Sequence, residues 1–295
     1  MNKKIKKSAG NLFYSVIINI IAIIICVVTF FPLWYIVVAS LSKPFYVNSG
    51  QVIFTIKNFT LAAYKAAIST SGIWRGYLNT IIITMGGVAV SMAFSTSLAY
   101  ALSRKDLPFR KFFTLLLVFT MWFSAGMIPF YQTMRVYKLI DSYFGIMIGF
   151  AISSYNVVIL KSFFEQVPID FEEAAKIDGA GTFKIFFQIF LPLSKAALAT
   201  VGLFYGVSRW NGYFWASILF KTEAKQPLQV ILKRMLVEQQ LFLTEMVAAV
   251  TPETEAASTT ISYAVIVISV LPMIVVYPFI QKYFKTGVTL GGVKG

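Results

Sequence analysis

The sequence predicts an all-α polytopic membrane protein with six transmembrane helices, and three observations predict it. Side chains are 58% hydrophobic and only 13% charged, with a mean hydropathy of +0.74, against roughly 25% charged in soluble domains. Six apolar runs, at about residues 12–41, 77–102, 112–131, 145–164, 196–218 and 257–279, reach or approach the roughly 20 residues that a hydrocarbon core of about 30 Å requires. Basic residues gather on the flanks of these runs, so the formal charge of +14 reads as anchorage to anionic lipid headgroups and not as nucleic-acid binding.

The elements follow in order. Lys3, Lys4, Lys6 and Lys7 precede an apolar run too long for a secretory h-region of about 7–15 residues, so residues 12–41 read as a first spanning helix, kinked near Pro32. The lone Cys26 lies inside that run, which leaves no disulfide framework and no thiolate metal site, and histidine is absent. Residues 53–60 alternate as a small extended segment would, and 132–144 has the pattern of a short amphipathic helix at the interface. An even number of spans places both termini on one side. The compact basic turn Arg104–Lys111 and the N-terminal lysines make that side cytoplasmic by the positive-inside rule. The whole chain, 1–295, is then one transmembrane domain, with a cytoplasmic loop at 165–195 and a cytoplasmic tail at 280–295.

The 165–195 loop is the most acidic stretch of the chain. Five of the twelve carboxylates, Glu165, Asp170, Glu172, Glu173 and Asp178, fall within it. Pro168 stops the preceding helix. Asp170 is suited to N-cap a new one, with Glu173 at the N3 position of a capping box. Ala174 and Ala175 are strong helix formers that let another surface come close. Gly179 suits the left-handed residue that ends the helix, and Thr182 suits the cap of a second helix running towards Pro192. On local physics, a well-capped loop helix and a docking element are equally good accounts of this elbow.

The spacing adds more. Glu173-Ala174-Ala175, three residues, Gly179, nine residues, Ile189, one residue and Leu191-Pro192 resembles the cytoplasmic EAA loop of membrane-spanning subunits of ABC importers. Asn79-Thr80, the Arg104–Lys111 turn, Trp210-Asn211 and the terminal Gly291–Gly295 narrow the resemblance to the maltose-type, six-helix permease subunits of carbohydrate uptake. Pro227–Arg234 is similar to an external loop of a subgroup handling complex oligosaccharides. The resemblance covers the chain from about Asn58 to its end.

The resemblance implies the type I ABC-importer transmembrane fold in a bacterial cell membrane. It also implies three kinds of neighbour besides the lipid bilayer: a homologous second permease, two copies of a cytoplasmic ATPase, and an extracellular sugar-binding protein. In such a transporter Glu173, Ala174, Ala175, Asp178, Gly179, Ala180, Gly181, Ile189, Leu191 and Pro192 form the coupling element that docks on the ATPase. Gly291, Gly292 and Lys294 reach the ATPase interface. ATP and magnesium belong to the ATPase, so this chain has no catalytic residue, metal or cofactor of its own. The sequence agrees in lacking a Gly-x-x-x-x-Gly-Lys-Ser/Thr phosphate cradle.

Sugars present apolar C–H faces to aromatic rings and hydroxyls to amides and guanidinium. Tyr155, Asn156, Arg209, Trp210, Asn211 and Tyr213 therefore form a candidate substrate pathway. Two other readings stand beside it: the aromatics as an interfacial belt, and Asn156 as a bond between helices. Arg209, an ion within a span, either snorkels outward or faces a wet cavity. Rival classes fit less well. A secondary transporter would be expected to carry intramembrane carboxylates, and none falls in the six runs. A membrane enzyme would need a catalytic acid, histidine or metal cluster. A type I importer of a non-sugar substrate shares the elbow and is the main alternative.

Overall fold

The computed structural model describes residues 9–69, 71–245 and 252–291. The N-terminal lysines and Gly292 and Lys294 of the tail lie outside the described residues; Gly291 is the last residue of its helix. In chain order the helices are α1 (Ala9–Ser40), α2 (Pro44–Asn48), α3 (Ala62–Ser69), α4 (Ser71–Ser103), α5 (Arg110–Trp122), α6 (Met127–Val136), α7 (Tyr143–Gly149), α8 (Ser154–Phe164) and α9 (Ile169–Ile177). Then come α10 (Thr182–Ile185), a π segment (Phe186–Phe190), α11 (Leu191–Leu193), α12 (Lys195–Trp210), α13 (Phe214–Leu219), a 3-10 turn (Glu223–Lys225), α14 (Leu228–Glu245) and α15 (Pro252–Gly291).

Among the described residues three helices are long and apolar enough to cross a membrane, over Tyr14–Ser40, Gly72–Ser103 and Thr259–Pro278. Three further spans are bent pairs: α5 with α6 at 115°, α7 with α8 at 58°, and the 182–193 stretch with α12 at 83°. Counting each pair as one span gives at most six, the number expected, although the third pair takes its first arm from the 165–195 elbow, and three of the expected continuous helices are broken. The third stops at Phe123, and Gly126 turns the chain with φ +84°. The fourth breaks at 150–153. The fifth ends at Trp210, so the run expected to reach residue 218 is interrupted at 211–213 before α13.

Two contact units make up the chain. The first comprises described residues of 1–70 and 235–268. Its core joins Val38, Ala39, Val47 and Val52, with Tyr35 and Tyr263 edge to face at 5.9 Å. The expected extended segment at 53–60 is not a strand: Ser42 and Phe59 form a single antiparallel bridge, and Trp34 Nε1 donates to the Phe54 carbonyl at 2.9 Å. Along α1, which runs through Pro32 as one helix, most large apolar side chains from Tyr14 to Trp34 are exposed, as lipid contact requires.

The second unit comprises described residues of 71–234 and 269–295. Here α4 packs on α7, α8 and α12. Aliphatic and aromatic side chains from α4 (Ala99, Tyr100, Leu102), α8 (Val157, Leu160, Phe164), the π segment (Phe186, Phe190) and α12 (Val201, Tyr205) share one core. Small residues set the approach distances. A Cβ on Gly86 would meet Met147 Sδ at 2.8 Å, and one on Gly87 would meet Arg209 Nε at 3.0 Å. Close packing over small residues is what associates helices in lipid, where no water drives them together.

At the far end of α4 from the elbow, Asn79 and Thr80 tie down the loop at 223–228. Asn79 Nδ2 donates to the carbonyls of Ala224 (2.8 Å) and Gln226 (3.0 Å), and the Leu228 N–H donates to Thr80 Oγ1 at 2.9 Å. The amphipathic helix expected at 132–144 starts earlier, as α6, and stops at Val136. Lys138 and Asp141 then take left-handed conformations, φ +56° and +57°. Asp141 is held there by N–H donors from Lys221 and Thr222 and by the Lys225 ammonium at 2.8 Å. Hydrogen bonds from Lys225 and Thr222 keep its carboxyl well below the ordinary carboxylate range.

Candidate functional site

The elbow begins where Pro168 ends the preceding turn. Pro168 itself is the N-cap of α9, with no side-chain cap bond, so the capping box expected from Asp170 and Glu173 does not form. Asp170 and Glu172 sit inside the first turn, where carboxylates favour the positive end of the helix dipole. The C-terminus is as expected: Gly179 takes φ +77°. The Gly179 N–H donates to Lys176 O (3.0 Å) and the Ala180 N–H to Ala175 O (2.9 Å), the paired bonds of a Schellman stop. Gly181, not Thr182, caps the next helix, and Thr182 is its first residue.

Ion pairs fix this elbow to the α4–α5 turn. Arg104 donates to Glu172, which also accepts from Lys176 at 2.9 Å, and Arg110 donates to Glu165. The Arg104 guanidinium also lies 4.4 Å from the Phe190 ring centre and 5.0 Å from that of Tyr100. One side chain therefore joins α4, α9 and the π segment. Burial pushes the Glu172 carboxyl up, but hydrogen bonds from Lys176 and Arg104, with their charges, outweigh it and hold the group below its ordinary value.

The outer surface of the elbow is left bare. Ile177 is 87% exposed and Phe183 81%. Ala174, Asp178, Gly179 and Gly181 are exposed with them, and Ala175 and Ala180 are half-buried. Among the described residues the exposed Glu173 makes no ion pair. Of the remaining predicted residues, Ile189 and Leu191 pack on the core beneath and Pro192 is exposed. Exposed apolar side chains beside a carboxylate with no ion pair suit a protein partner.

Further along the fold, a cavity of about 730 Å³ opens where the fourth and fifth spans break. Five of the six predicted pathway residues line it: Tyr155, Asn156, Arg209, Asn211 and Tyr213. Asn156 is 5% exposed and makes no side-chain hydrogen bond among the described residues, so its amide has capacity for a ligand. Trp210 belongs elsewhere. Its indole N–H donates to Ser269 O at 3.0 Å, and its ring meets Tyr77 edge on at 5.7 Å.

Arg209 neither snorkels outward nor leaves its guanidinium free in the cavity. It donates to the carbonyls of Ile146 (2.7 Å), Met147 (3.1 Å) and Phe150 (2.5 Å), and to Ser91 Oγ (3.2 Å). These carbonyls end α7, whose last turn has no helical N–H to accept from and carries partial negative charge. One turn earlier on α12, the Tyr205 hydroxyl accepts from the Ser153 N–H at 2.9 Å and shares a 2.6 Å bond with Ser95. Arg209 and Tyr205 thus secure both sides of the 150–153 break. Tyr205, Ser208 and Phe150 also line the cavity and were not anticipated; within largely apolar runs, nothing distinguishes them from packing residues.

The elbow, the cavity and the residues around the break all fall within residues 60–290, the stretch that matches the family described as binding-protein-dependent transport system inner membrane component. The chain belongs to this family. As an inner membrane component it is 41% identical to the polygalacturonan/rhamnogalacturonan transport system permease protein YtcP of Bacillus subtilis, over 92% of this chain and 94% of that one. It is 39% identical to protein LplC of Bacillus subtilis, over 91% and 90%. Among solved structures it resembles a chain of a bacterial ABC transporter involved in the import of the acidic polysaccharide alginate. The TM-score is 0.85 at 38% identity, covering 94% of this chain and 98% of the other.

Proposed function

We propose that this inner membrane component is the permease subunit of an ATP-driven importer that moves a uronate-bearing oligosaccharide from an extracellular binding protein into the cytoplasm. It works beside a homologous second permease, with two copies of an ATPase that hold the ATP and magnesium, and with both of its own termini in the cytoplasm. The elbow at 165–195 is the coupling element. The observation that carries this reading is the bare outer surface of α9, where apolar side chains and Glu173, unpaired among the described residues, stand on a helix held from behind by Arg104 through Glu172. A coupling element has to present different contacts in different states without deforming itself.

The cavity at the breaks is the substrate passage, with Asn156, Asn211, Tyr155 and Tyr213 as its sugar-facing groups. Two similarities favour an acidic sugar: the polygalacturonan/rhamnogalacturonan permease and the alginate importer. A basic group near the passage fits that chemistry, since the Lys233 ammonium lies 4.7 Å from the Tyr213 ring centre and makes no ion pair among the described residues. The test is uptake of labelled oligogalacturonate and of raffinose by cells with and without this chain. Chain-dependent accumulation of the uronate oligomer is expected; accumulation of raffinose alone would overturn the acidic class.

A further inference from the structure

A groove of about 360 Å³ lies against α5 and α8 at the elbow end of the second unit, lined by Arg110, Lys111, Thr114, Leu115, Val118 and Lys161. Its electrostatics are unbalanced. Arg110 and Lys161, from two different helices, both donate to the same oxygen, Glu165 Oε1. That shared acceptor holds the two cations side by side and leaves each with unused donors. Lys111 is exposed and has no carboxylate partner among the described residues. Three cations against one carboxylate leave two positive charges in excess.

The groove also changes character along its length. Thr114, one turn beyond Arg110, adds a hydroxyl to the basic end. Leu115 and Val118 follow Lys111 at helical spacing and make the other end apolar. Beside them Leu116 and Phe119 point outward, each about half exposed. A basic head therefore runs without interruption into the apolar outer surface of a membrane-spanning element.

We propose that this groove is a defined binding site for an anionic phospholipid, with Arg110, Lys111, Lys161 and Thr114 on the phosphate and an acyl chain along Leu115 and Val118. Ammonium and guanidinium donors suit anionic phosphate oxygens, and basic recesses beside spanning helices are recognised lipid sites. A soluble phosphate would use the cations but would gain nothing from Leu115 and Val118. Diffuse attraction to a charged bilayer would need neither the shared Glu165 oxygen nor the hydroxyl. The site is independent of what the transporter carries.

The test is native mass spectrometry of the full chain, purified with the subunits that accompany it and exchanged into mixtures of phosphatidylglycerol and phosphatidylcholine. Wild type should retain phosphatidylglycerol in preference to phosphatidylcholine. Lys111→Gln with Lys161→Gln should lower that retention about thirtyfold, roughly fivefold from each basic group near a membrane. Lys111→Gln alone, at an exposed position with no ion pair to lose, should lower it severalfold, so the result does not depend on the fold tolerating the loss of Lys161. Leu115→Asn should also weaken retention, which a bare anion site would not show. Equal retention of the two lipids, or undiminished retention in Lys111→Gln with Lys161→Gln, would overturn the proposal. So would displacement of the lipid by millimolar inorganic phosphate, which would assign the groove to a soluble anion.

Discussion

Arg209 donates to the carbonyl of Phe150 at 2.5 Å across 59 residues of chain, so a guanidinium on the fifth span closes the open end of a helix in the fourth. Arg209→Leu should insert into the membrane readily yet destabilise the folded protein by about 1–3 kcal/mol, the usual cost of stranding buried acceptors. Arg209→Lys keeps the charge but reaches fewer of the carbonyls and should fall between. Thermal unfolding in detergent, with uptake at equal membrane abundance, checks the order wild type, lysine, leucine. Wild-type stability in Arg209→Leu would remove the clamp.

Gly87 supplies the room for that guanidinium. A methyl group there would sit 3.0 Å from Nε and 3.3 Å from Cδ and Cζ. Gly87→Ala should therefore act as a weaker copy of Arg209→Leu, and the two changes together should cost less than the sum of each alone. A double-mutant cycle on unfolding midpoints measures this; strict additivity would show that the two sites act independently.

The pair Arg104 and Glu172 gives a second test. Either Arg104→Glu or Glu172→Arg puts like charges together behind α9 and should reduce substrate-stimulated ATP hydrolysis by the assembled transporter. Exchanging both should restore part of it. Recovery will be incomplete because the exchange also loses the stacking of Arg104 on Phe190 and Tyr100. A double exchange no better than the worse single change would contradict the bridge.

Two glycines of the elbow should respond differently. Gly179 has φ +77° with open space around its Cα, so Gly179→Val is opposed by backbone strain alone, roughly 1–2 kcal/mol. It should spare insertion but lower coupled ATP hydrolysis. Gly181 is extended and equally open, so Gly181→Ala should be close to neutral. Equal effects of the two substitutions would argue against the left-handed turn as the determinant.

Asp141 makes the loop at 137–142 sensitive to acid. With its carboxyl held below the ordinary range, the folded protein binds fewer protons than the unfolded one. Its contribution is complete above the unfolded value of about 3.9 and is lost as pH falls below that. Measured against the intrinsic exchange rate at each pH, the protection of the Lys221 and Thr222 amides should fall in wild type as pH is lowered below about 3.9. In Asp141→Asn the two amides should be less protected at neutral pH and show little further change. An acid-insensitive wild type would overturn this assignment.

Hydropathy locates six spans because apolar length is a property of composition. It says nothing of the breaks. Phe123-Ser-Ala-Gly126 and Phe150-Ala-Ile-Ser153 are as apolar as their surroundings, and the partners that stabilise the second break come from about 50 to 60 residues away. The Gly179 turn was legible because a left-handed residue leaves a local signature. The capping box was not, because Pro168 caps α9 two residues before Asp170 and leaves Asp170 inside the first turn. Trp210 and Asn156 show the same limit from opposite sides. One is buried and bonded to Ser269, the other buried with no side-chain bond among the described residues, and residue type alone does not separate them.

The break at 123–126 also fixes a length. Before the chain turns by 115°, α5 has only thirteen residues, about 20 Å of helix. The hydrocarbon it faces is about 30 Å thick. The α5 arm alone therefore leaves about 10 Å to be crossed by the turn and α6, or to be matched by thinner lipid or polar groups drawn inward, and such mismatch costs fractions of a kcal/mol per ångström. Activity should accordingly depend on bilayer thickness, rising in short-chain lipids and falling in long-chain ones, so that hydrophobic mismatch at one short helix becomes a setting the host membrane imposes on transport.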